Sequence, residues 1–294
     1  MITRFAPSPT GPLHLGHAHS AWTAHDMARA AGGTFLLRIE DIDRQRSKPE
    51  WEDALHRDLA WLGIGWDASP LRQSERMDAY DDALDILWKR QLLYPCTCTR
   101  RDIAEALSAP QEGATMGPDG PVYPGTCRAE AILAHPATRP RDAHLRLNMV
   151  SAFRHLEASG QSESSLAFQE VGPLRSGEIQ SERATYIDRV GDIVLARRDF
   201  GTSYHLSVVL DDAAQGVTHV VRGADLFDAT PIHVLLQQLL DLPTPIYHHH
   251  DLVRDAAGKR LAKRDDARSI ASYRDAGWTA AQLRAHLDRS LVAP

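Results

Sequence analysis

Two histidines, His14 and His17, lie three residues apart behind a turn rich in proline and glycine. The alanine-rich stretch that follows them predicts a helix ending at Gly32 and Gly33. The histidines therefore lie where a helix begins, and the N–H groups and dipole of a helix start attract phosphate. Imidazole N–H groups can add hydrogen bonds to such an anion. The stretch predicts a phosphate site, although a proline-rich loop with two solvated histidines would have the same composition.

Charged side chains follow three predicted strands. Glu40, Asp41 and Asp43 come after the strand predicted over 34–39. Arg4 lies near the end of the first strand, predicted over 2–5, and Arg222 follows the strand predicted over 217–221. Ligands of open parallel sheets bind beyond the carboxyl ends of strands, where a carboxylate can hold a substrate ammonium group. Two planar guanidinium groups in one cleft predict a pocket for a side-chain carboxylate. The alternative is that the acids only favour the dipole of the next helix.

All three cysteines of the chain, Cys96, Cys98 and Cys127, fall in one glycine- and proline-rich region. An odd number of clustered cysteines argues against a disulfide framework, and three thiolates can share one zinc ion, which prefers four ligands. His135 is the ordinary candidate for the fourth ligand. Three reduced structural cysteines remain the alternative.

The composition is that of a globular protein, with 294 residues, 43% hydrophobic and 24% charged. No signal segment and no apolar run of about 18 residues is present, so we expect a cytoplasmic protein, and we expect it to be a monomer. The net charge of −6 means that any nucleic acid must bind a local basic patch.

Strands and helices alternate along the chain, as in a doubly wound domain. Ser47 and Glu50 predict a capping box for a helix with Pro49 in its first turn, and the apolar spacing from Met77 to Trp88 predicts another helix. His248, His249 and His250 fall on a predicted strand, where consecutive side chains point to opposite faces, so they do not predict a shared metal site.

The segment PSPTGPLHLGH resembles the HIGH signature of class I aminoacyl-tRNA synthetases, and the preceding RFAP resembles their glutamyl and glutaminyl branch. RLAKR, at 260–264, is similar to the second signature, KMSKS, with Ala262 in place of a serine. This resemblance implies an α/β fold: a split Rossmann-like catalytic domain (1–92 and 186–250), a zinc-bearing insertion (93–185), and the KMSKS-like loop with short C-terminal helices (251–294).

The resemblance also implies roles for individual residues. His14, Gly16, His17 and Lys263 would bind ATP, and His14, His17 and Lys263 would be catalytic. The expected residues of the L-glutamate pocket are Arg4, Phe5, Ala6, Pro7, Ser8, Glu40, Tyr204 and Arg222. Truncated glutamyl synthetase-like proteins carry a Cys-x-Cys, Tyr-x-x-x-Cys arrangement, which implies Tyr123 as the fourth zinc ligand beside Cys96, Cys98 and Cys127.

The implied reaction is formation of glutamyl-adenylate from L-glutamate and ATP with magnesium. About 30 residues follow Lys263, fewer than an anticodon-binding domain needs. Family members with this short layout transfer glutamate to the queuosine base in the anticodon loop of tRNA(Asp), and basic candidates for RNA contacts are Arg197, Arg198, Arg260 and Arg264. A minimal glutamyl-tRNA synthetase that charges a 3′ end and a non-catalytic zinc- and RNA-binding relative remain open, the latter because of Ala262.

Overall fold

The computed structural model describes residues 1–107, 115–133, 135–160, 165–254 and 268–292. Four residues named above, Arg260, Ala262, Lys263 and Arg264, lie outside these ranges. Among the described residues, no helix combines the length and the apolar character needed to cross a membrane.

Strands and helices alternate from β1 to α4, as the sequence predicts. The strands are β1 Ile2–Phe5, β2 Thr34–Ile39, β3 Leu71–Arg72, β4 Leu93–Cys96, β5 Met116–Gly117, β6 Gly120–Pro121, β7 His144–Leu147, β8 Ser165–Glu170, β9 Gly177–Glu182, β10 Val194–Ala196, β11 His219–Gly223 and β12 Ile246–His250. The α-helices of six or more residues are α1 Leu15–Ala30, α2 Pro49–Trp61, α3 Met77–Lys89, α4 Arg100–Leu107, α5 Arg128–Leu133, α6 Met149–Ala158, α7 Tyr204–Ala214, α8 Thr230–Leu239, α9 Ile270–Asp275 and α10 Ala280–Val292.

Parallel strands from both ends of the chain position the site. Strand β2 pairs in parallel with β1 and β3, and β12 pairs in parallel with β11 and β8. The starts of β1 and β11 lie side by side, because Thr218 N–H donates to the carbonyl oxygen of Ile2 at 3.0 Å. The carboxyl ends of β1, β2 and β11 therefore open on one edge, where ligands of such sheets bind.

A second sheet is antiparallel and has the order β10, β7, β4, and β5 and β6 form a small hairpin. Strands β8 and β9 fall within the predicted insertion, yet β8 pairs with β12, while β10 pairs with β7. The sheets therefore do not divide at residue 185, and the division into domains stays a prediction.

Helix α1 packs closely on the first sheet through small side chains. Ala18, Ala21, Ala24 and Ala28 are buried, and the hydroxyl of Thr3 donates to the carbonyl oxygen of Ala24 at 2.7 Å. Alanine combines high helix propensity with a small side chain, so the helix can approach the strand. This contact fixes the helix start relative to the end of β1.

The predicted capping box at Ser47 and Glu50 is wrong. Helix α2 begins with Pro49 at its first position, so Lys48 is the N-cap, and no side chain caps the helix. Ser47 lies one position too early, and its hydroxyl has no partner among the described residues. A capping box requires the N-cap and the third helical residue, which here is Trp51.

Candidate active site

The predicted substrate residues lie together in one cleft of about 1250 Å³. All of the predicted glutamate and ATP residues within the described ranges line it: Arg4, Phe5, Ala6, Pro7, Ser8, His14, Gly16, His17, Glu40, Tyr204 and Arg222. The cleft lies over the carboxyl ends of β1, β2 and β11 and the start of α1.

The two signature histidines cap helix α1 reciprocally. His14 is the N-cap, and its Nδ1 accepts from Gly16 N–H at 3.1 Å, while Nδ1 of His17 accepts from His14 N–H at 3.1 Å. In a neutral imidazole that accepts through Nδ1, the proton is on Nε2. Both rings are therefore fixed with an Nε2–H donor, and their centroids lie 3.8 Å apart. The pair can hydrogen-bond to an anion at the helix start.

The chain that follows the KMSKS-like sequence contacts the same helix start. Ser269 forms a backbone bridge with His14, and Ile270 N–H donates to the carbonyl oxygen of Leu13 at 2.9 Å. Ser269, six residues after Lys263 in the sequence, thus lies beside the first signature.

Arg4 belongs to a buried charge cluster with Arg38, Glu40 and Asp212. Asp212 accepts from Arg4 Nε at 2.8 Å and from Arg38 Nη1 at 2.6 Å, and Arg38 Nη2 donates to Glu40 at 3.2 Å. Burial raises the pKa of Glu40 against the opposing effect of Arg38. Burial also raises the pKa of Asp212, but Arg38 and Arg4 outweigh it and lower that pKa below its ordinary value. Arg38 thus fixes Glu40 in the lining of the cleft.

Arg222 has a different environment. Its Nε donates to His249 Nε2 at 3.0 Å, its Nη1 lies 2.9 Å from His233 Nδ1, and its Nη2 donates to Thr230 Oγ1 at 2.8 Å. Tyr204 begins α7 beside it, and burial raises the pKa of its hydroxyl. The guanidinium of Arg222 lines the cleft but has no carboxylate within ion-pair distance among the described residues.

The three cysteines form the kind of group that can hold a metal ion. The Sγ atoms of Cys96, Cys98 and Cys127 lie within 4.8 Å of one another. The hydroxyl of Tyr123 lies 3.5 Å from Cys96 Sγ and 3.3 Å from Cys98 Sγ, and Cys127 N–H donates to it at 2.9 Å. Tetrahedral zinc with Zn–S bonds of about 2.3 Å places its sulfurs about 3.8 Å apart, so the spacing suits zinc.

His135, the alternative fourth ligand, does not lie in this group. Its ring stacks on Trp88 of α3 with centroids 4.0 Å apart. The Trp88 indole N–H also donates to the carbonyl oxygen of Pro136 at 3.2 Å. These contacts hold the histidine against α3, and Tyr123 occupies the fourth side of the cysteine group.

Comparison with known proteins shows the family of this chain. Residues 1–294 match the family described as class I tRNA synthetases (E and Q), catalytic domain. The chain belongs to this family. It is 61% identical over 284 residues to a glutamyl-Q tRNA(Asp) synthetase of Rhodobacter capsulatus, covering 97% of this chain and 98% of the relative. It is 41% identical to a protein of the same name from Symbiobacterium thermophilum, covering 97% and 84%.

A solved synthetase structure has the same fold. The structure of a glutamate tRNA ligase from Elizabethkingia meningosepticum matches 99% of this chain with a TM-score of 0.71 and 24% identity. The chain spans 60% of that protein's length. The predicted class I synthetase fold is confirmed, and so is the predicted resemblance to the glutamyl-Q relatives within this enzyme family.

Sequence reasoning missed two synthetase residues that organise the pocket, Arg38 and Asp212. Arg38 is fully buried in the apolar run of β2, and Asp212 lies in α7 with 7% of its surface exposed. The available signal was a charge inside an apolar segment, since buried charges require a partner. The partner could not be named because 174 residues separate the two.

The side chains of neighbouring histidines in the run 248–250 point in different directions, as predicted for a strand. His249 contacts Glu170 and Arg222, whereas His250 Nε2 lies 2.6 Å from the hydroxyl of Ser20 on α1. Neither belongs to a metal-binding group among the described residues. Of the basic candidates for RNA contacts, Arg197 lines the cleft and Arg198 is exposed.

Proposed function

We propose that the protein activates L-glutamate with ATP, without tRNA, and transfers it to the queuosine base in the anticodon loop of tRNA(Asp). The observation that carries this proposal is one cleft that joins a carboxylate pocket to a capped helix start. The identity of 61% to a protein named glutamyl-Q tRNA(Asp) synthetase supports the choice of acceptor.

In the first step, an α-carboxylate oxygen of glutamate attacks the α-phosphorus of ATP. The bond to the β-phosphate breaks, pyrophosphate leaves, and the acyl-adenylate forms. Glu40 would hold the substrate ammonium group, and Arg222 and Tyr204 would bind the side-chain carboxylate together with Arg4. The Nε2–H groups of His14 and His17 and the start of α1 would bind the phosphates. Lys263 would add positive charge as the leaving group develops, and ATP would carry most of the contacts to magnesium.

In the second step, a nucleophilic group of the queuosine base attacks the acyl carbonyl and AMP leaves. Arg197 at the cleft, with Arg198, Arg260 and Arg264, would contact phosphates of the stem-loop.

We propose zinc in the group of Cys96, Cys98, Cys127 and Tyr123, where it would stabilise the insertion. The three cysteines form no disulfide with one another, which fits a reducing compartment, so the proposed location is the cytoplasm. A monomer stays a prediction.

Two assays test the two steps separately. Pyrophosphate exchange with glutamate, and little exchange with glutamine, is expected in the absence of tRNA. Labelled glutamate should then attach to tRNA from cells that make queuosine and leave tRNA from queuosine-deficient cells unlabelled. Label on the 3′-terminal adenosine, or equal labelling of both preparations, would instead identify a minimal glutamyl-tRNA synthetase. Absence of any exchange would favour the non-catalytic alternative.

A further inference from the structure

Within the described ranges, Arg222 is held entirely by neutral acceptors. It is 6% exposed, and its donors contact His249, His233, Thr230 and, through Nη2 at 3.2 Å, the carbonyl oxygen of Leu226. A guanidinium has five N–H donors and no acceptor. Each histidine must therefore turn an unprotonated nitrogen toward it.

That requirement fixes the tautomers of the neighbouring rings. His249 accepts through Nε2, so its proton is on Nδ1, which lies 2.5 Å from Glu170 Oε2. His233 accepts through Nδ1, so its proton is on Nε2 and is donated to His205 Nδ1 at 3.1 Å. A second proton on either ring would place a ring N–H directly against an N–H group of Arg222, with no acceptor between them.

The electrostatics agree with neutral rings. Burial and the neighbouring Arg222 lower the pKa of His249 to about 4. Burial and the same guanidinium lower the pKa of His233 well below its ordinary value.

Glu170 is fixed behind His249. Its Oε1 accepts from Gly172 N–H at 2.7 Å and from His249 N–H at 3.0 Å, and the residue is 1% exposed. A Cβ atom at position 172 would lie 2.4 Å from the carbonyl oxygen of His249, so only glycine permits this approach. The carboxylate therefore sets the tautomer of His249 and does not touch Arg222 itself.

The contrast with Arg4 shows what this arrangement does. Asp212 accepts from Arg4 and compensates its charge, whereas the acceptors of Arg222 are neutral and no carboxylate forms an ion pair with it in the described part of the chain. We propose that His233 and His249 are positioning residues that hold Arg222 through neutral acceptors, so that its charge selects a substrate carboxylate over an amide. The inference rests on the proposed function, because it concerns the same glutamate pocket.

The matched variants His233→Asn and His233→Asp test the proposal. The two side chains have nearly the same size, and both offer an oxygen to Arg222, but only aspartate adds a negative charge. Calorimetric titration with glutamate and glutamine, without ATP, measures the dissociation constants. We expect the asparagine variant to keep the preference for glutamate and the aspartate variant to lose about 10- to 100-fold of it, the range for a lost hydrogen bond to a charged group.

Equal losses in both variants, with the preference unchanged, would overturn the proposal and leave a packing role for His233. The wild-type protein separates this outcome from failure of the proposed function. If the wild type binds glutamate without exchanging pyrophosphate, the function fails while the comparison of variants still decides the inference.

Nitrogen-15 NMR of the histidine side chains in the wild type reads the two tautomers directly, without a variant at His233 and without an activity measurement. In the wild type, His249 should carry its proton on Nδ1 and His233 on Nε2 at neutral pH. Glu170→Gln should shift the proton of His249 toward Nε2, because the amide N–H₂ can donate to Nδ1, and should raise the KM for glutamate more than it changes kcat. The opposite wild-type tautomers, or a Glu170→Gln variant with unchanged tautomer and KM, would overturn the assignment.

Discussion

At the scale of residues, Arg4 and Arg222 line one cleft but have different surroundings. The sequence predicts their convergence, since it places both near the carboxyl ends of strands in an open sheet, although Arg222 lies within β11 and not after it. It could not predict that Asp212 compensates one arginine while histidines surround the other. Those partners come from distant positions, and a single aspartate or histidine carries no pairing information in the sequence.

Replacing Arg222 by alanine should weaken activation of glutamate. The substrate carboxylate would lose its charged partner, which costs at least about 2 kcal/mol of transition-state binding. The ratio kcat/KM in pyrophosphate exchange measures this loss. Arg57→Ala is a suitable control, because Arg57 is exposed on α2. If Arg222→Ala changes kcat/KM as little as Arg57→Ala does, Arg222 lies outside the glutamate pocket.

Asp212→Asn should destabilise the fold as well as the site. The change leaves Arg4 and Arg38 without their shared carboxylate in a buried environment, a situation that costs about 3–5 kcal/mol. Urea unfolding measures the free energy. Asp199→Asn, at an exposed position, should leave it unchanged. A stability equal to that of the wild type would show that water or relaxation of the chain compensates the arginines.

The buried His249 predicts how stability depends on pH. Its pKa is lowered to about 4 from the ordinary 6.5, so the unfolded chain takes up the proton first. This contribution to stability is fully present above pH 6.5 and is lost as the pH falls through 6.5 toward 4. Between pH 7 and pH 5, this loss should lower the free energy of unfolding by about 2 kcal/mol.

The free energy of unfolding of the wild type and of His249→Gln at these two pH values measures that contribution. The variant should lose less stability on acidification, because glutamine does not titrate. Parallel losses in the two proteins would assign the dependence to other groups.

At the scale of elements, the sequence predicts β1 and β2 with their observed bounds, because apolar runs between turn residues define them. It places the capping box of α2 one residue too early, because the helix begins at Pro49 and its N-cap is Lys48. It also could not place β8, which leaves the insertion to pair with β12 through Tyr247 and Glu170. Local patterning defines an element, whereas its partner strand depends on contacts far along the chain.

The cysteine-bearing segment offers a test of its fourth ligand. Tyr123→Phe should lower zinc affinity by at least about 10-fold, because the hydroxyl beside Cys96 and Cys98 is removed. Elemental analysis after dialysis against a weak chelator measures occupancy.

Two variants serve as controls for this experiment. Tyr94→Phe removes a neighbouring buried hydroxyl that donates to Asp192, and His135→Ala removes the other candidate ligand. Both should keep their zinc. Retention by Tyr123→Phe together with loss by His135→Ala would reverse the assignment.

At the scale of the whole molecule, the segment that follows the second signature converges with the first signature at the start of α1, because residues 269–270 bond to His14 and Leu13. The sequence predicts this convergence only through the family resemblance, since 255 residues separate His14 from Ser269. The fold is confirmed by the comparisons, while the roles of individual side chains await the variants above.

The joining of β1 to β11 has a consequence for synthesis on the ribosome. Arg4 and Arg38 are among the first residues to emerge, but Asp212 and Thr218 follow roughly 200 residues later. At about 5–20 residues per second, the early segment waits some 10–40 s for these partners. During that interval β1, β2 and α1 lack the strand that completes their sheet, and two arginines that end up buried stay in water. A nascent chain is therefore without its glutamate pocket until Arg222, about three quarters of the way along the sequence, has been translated.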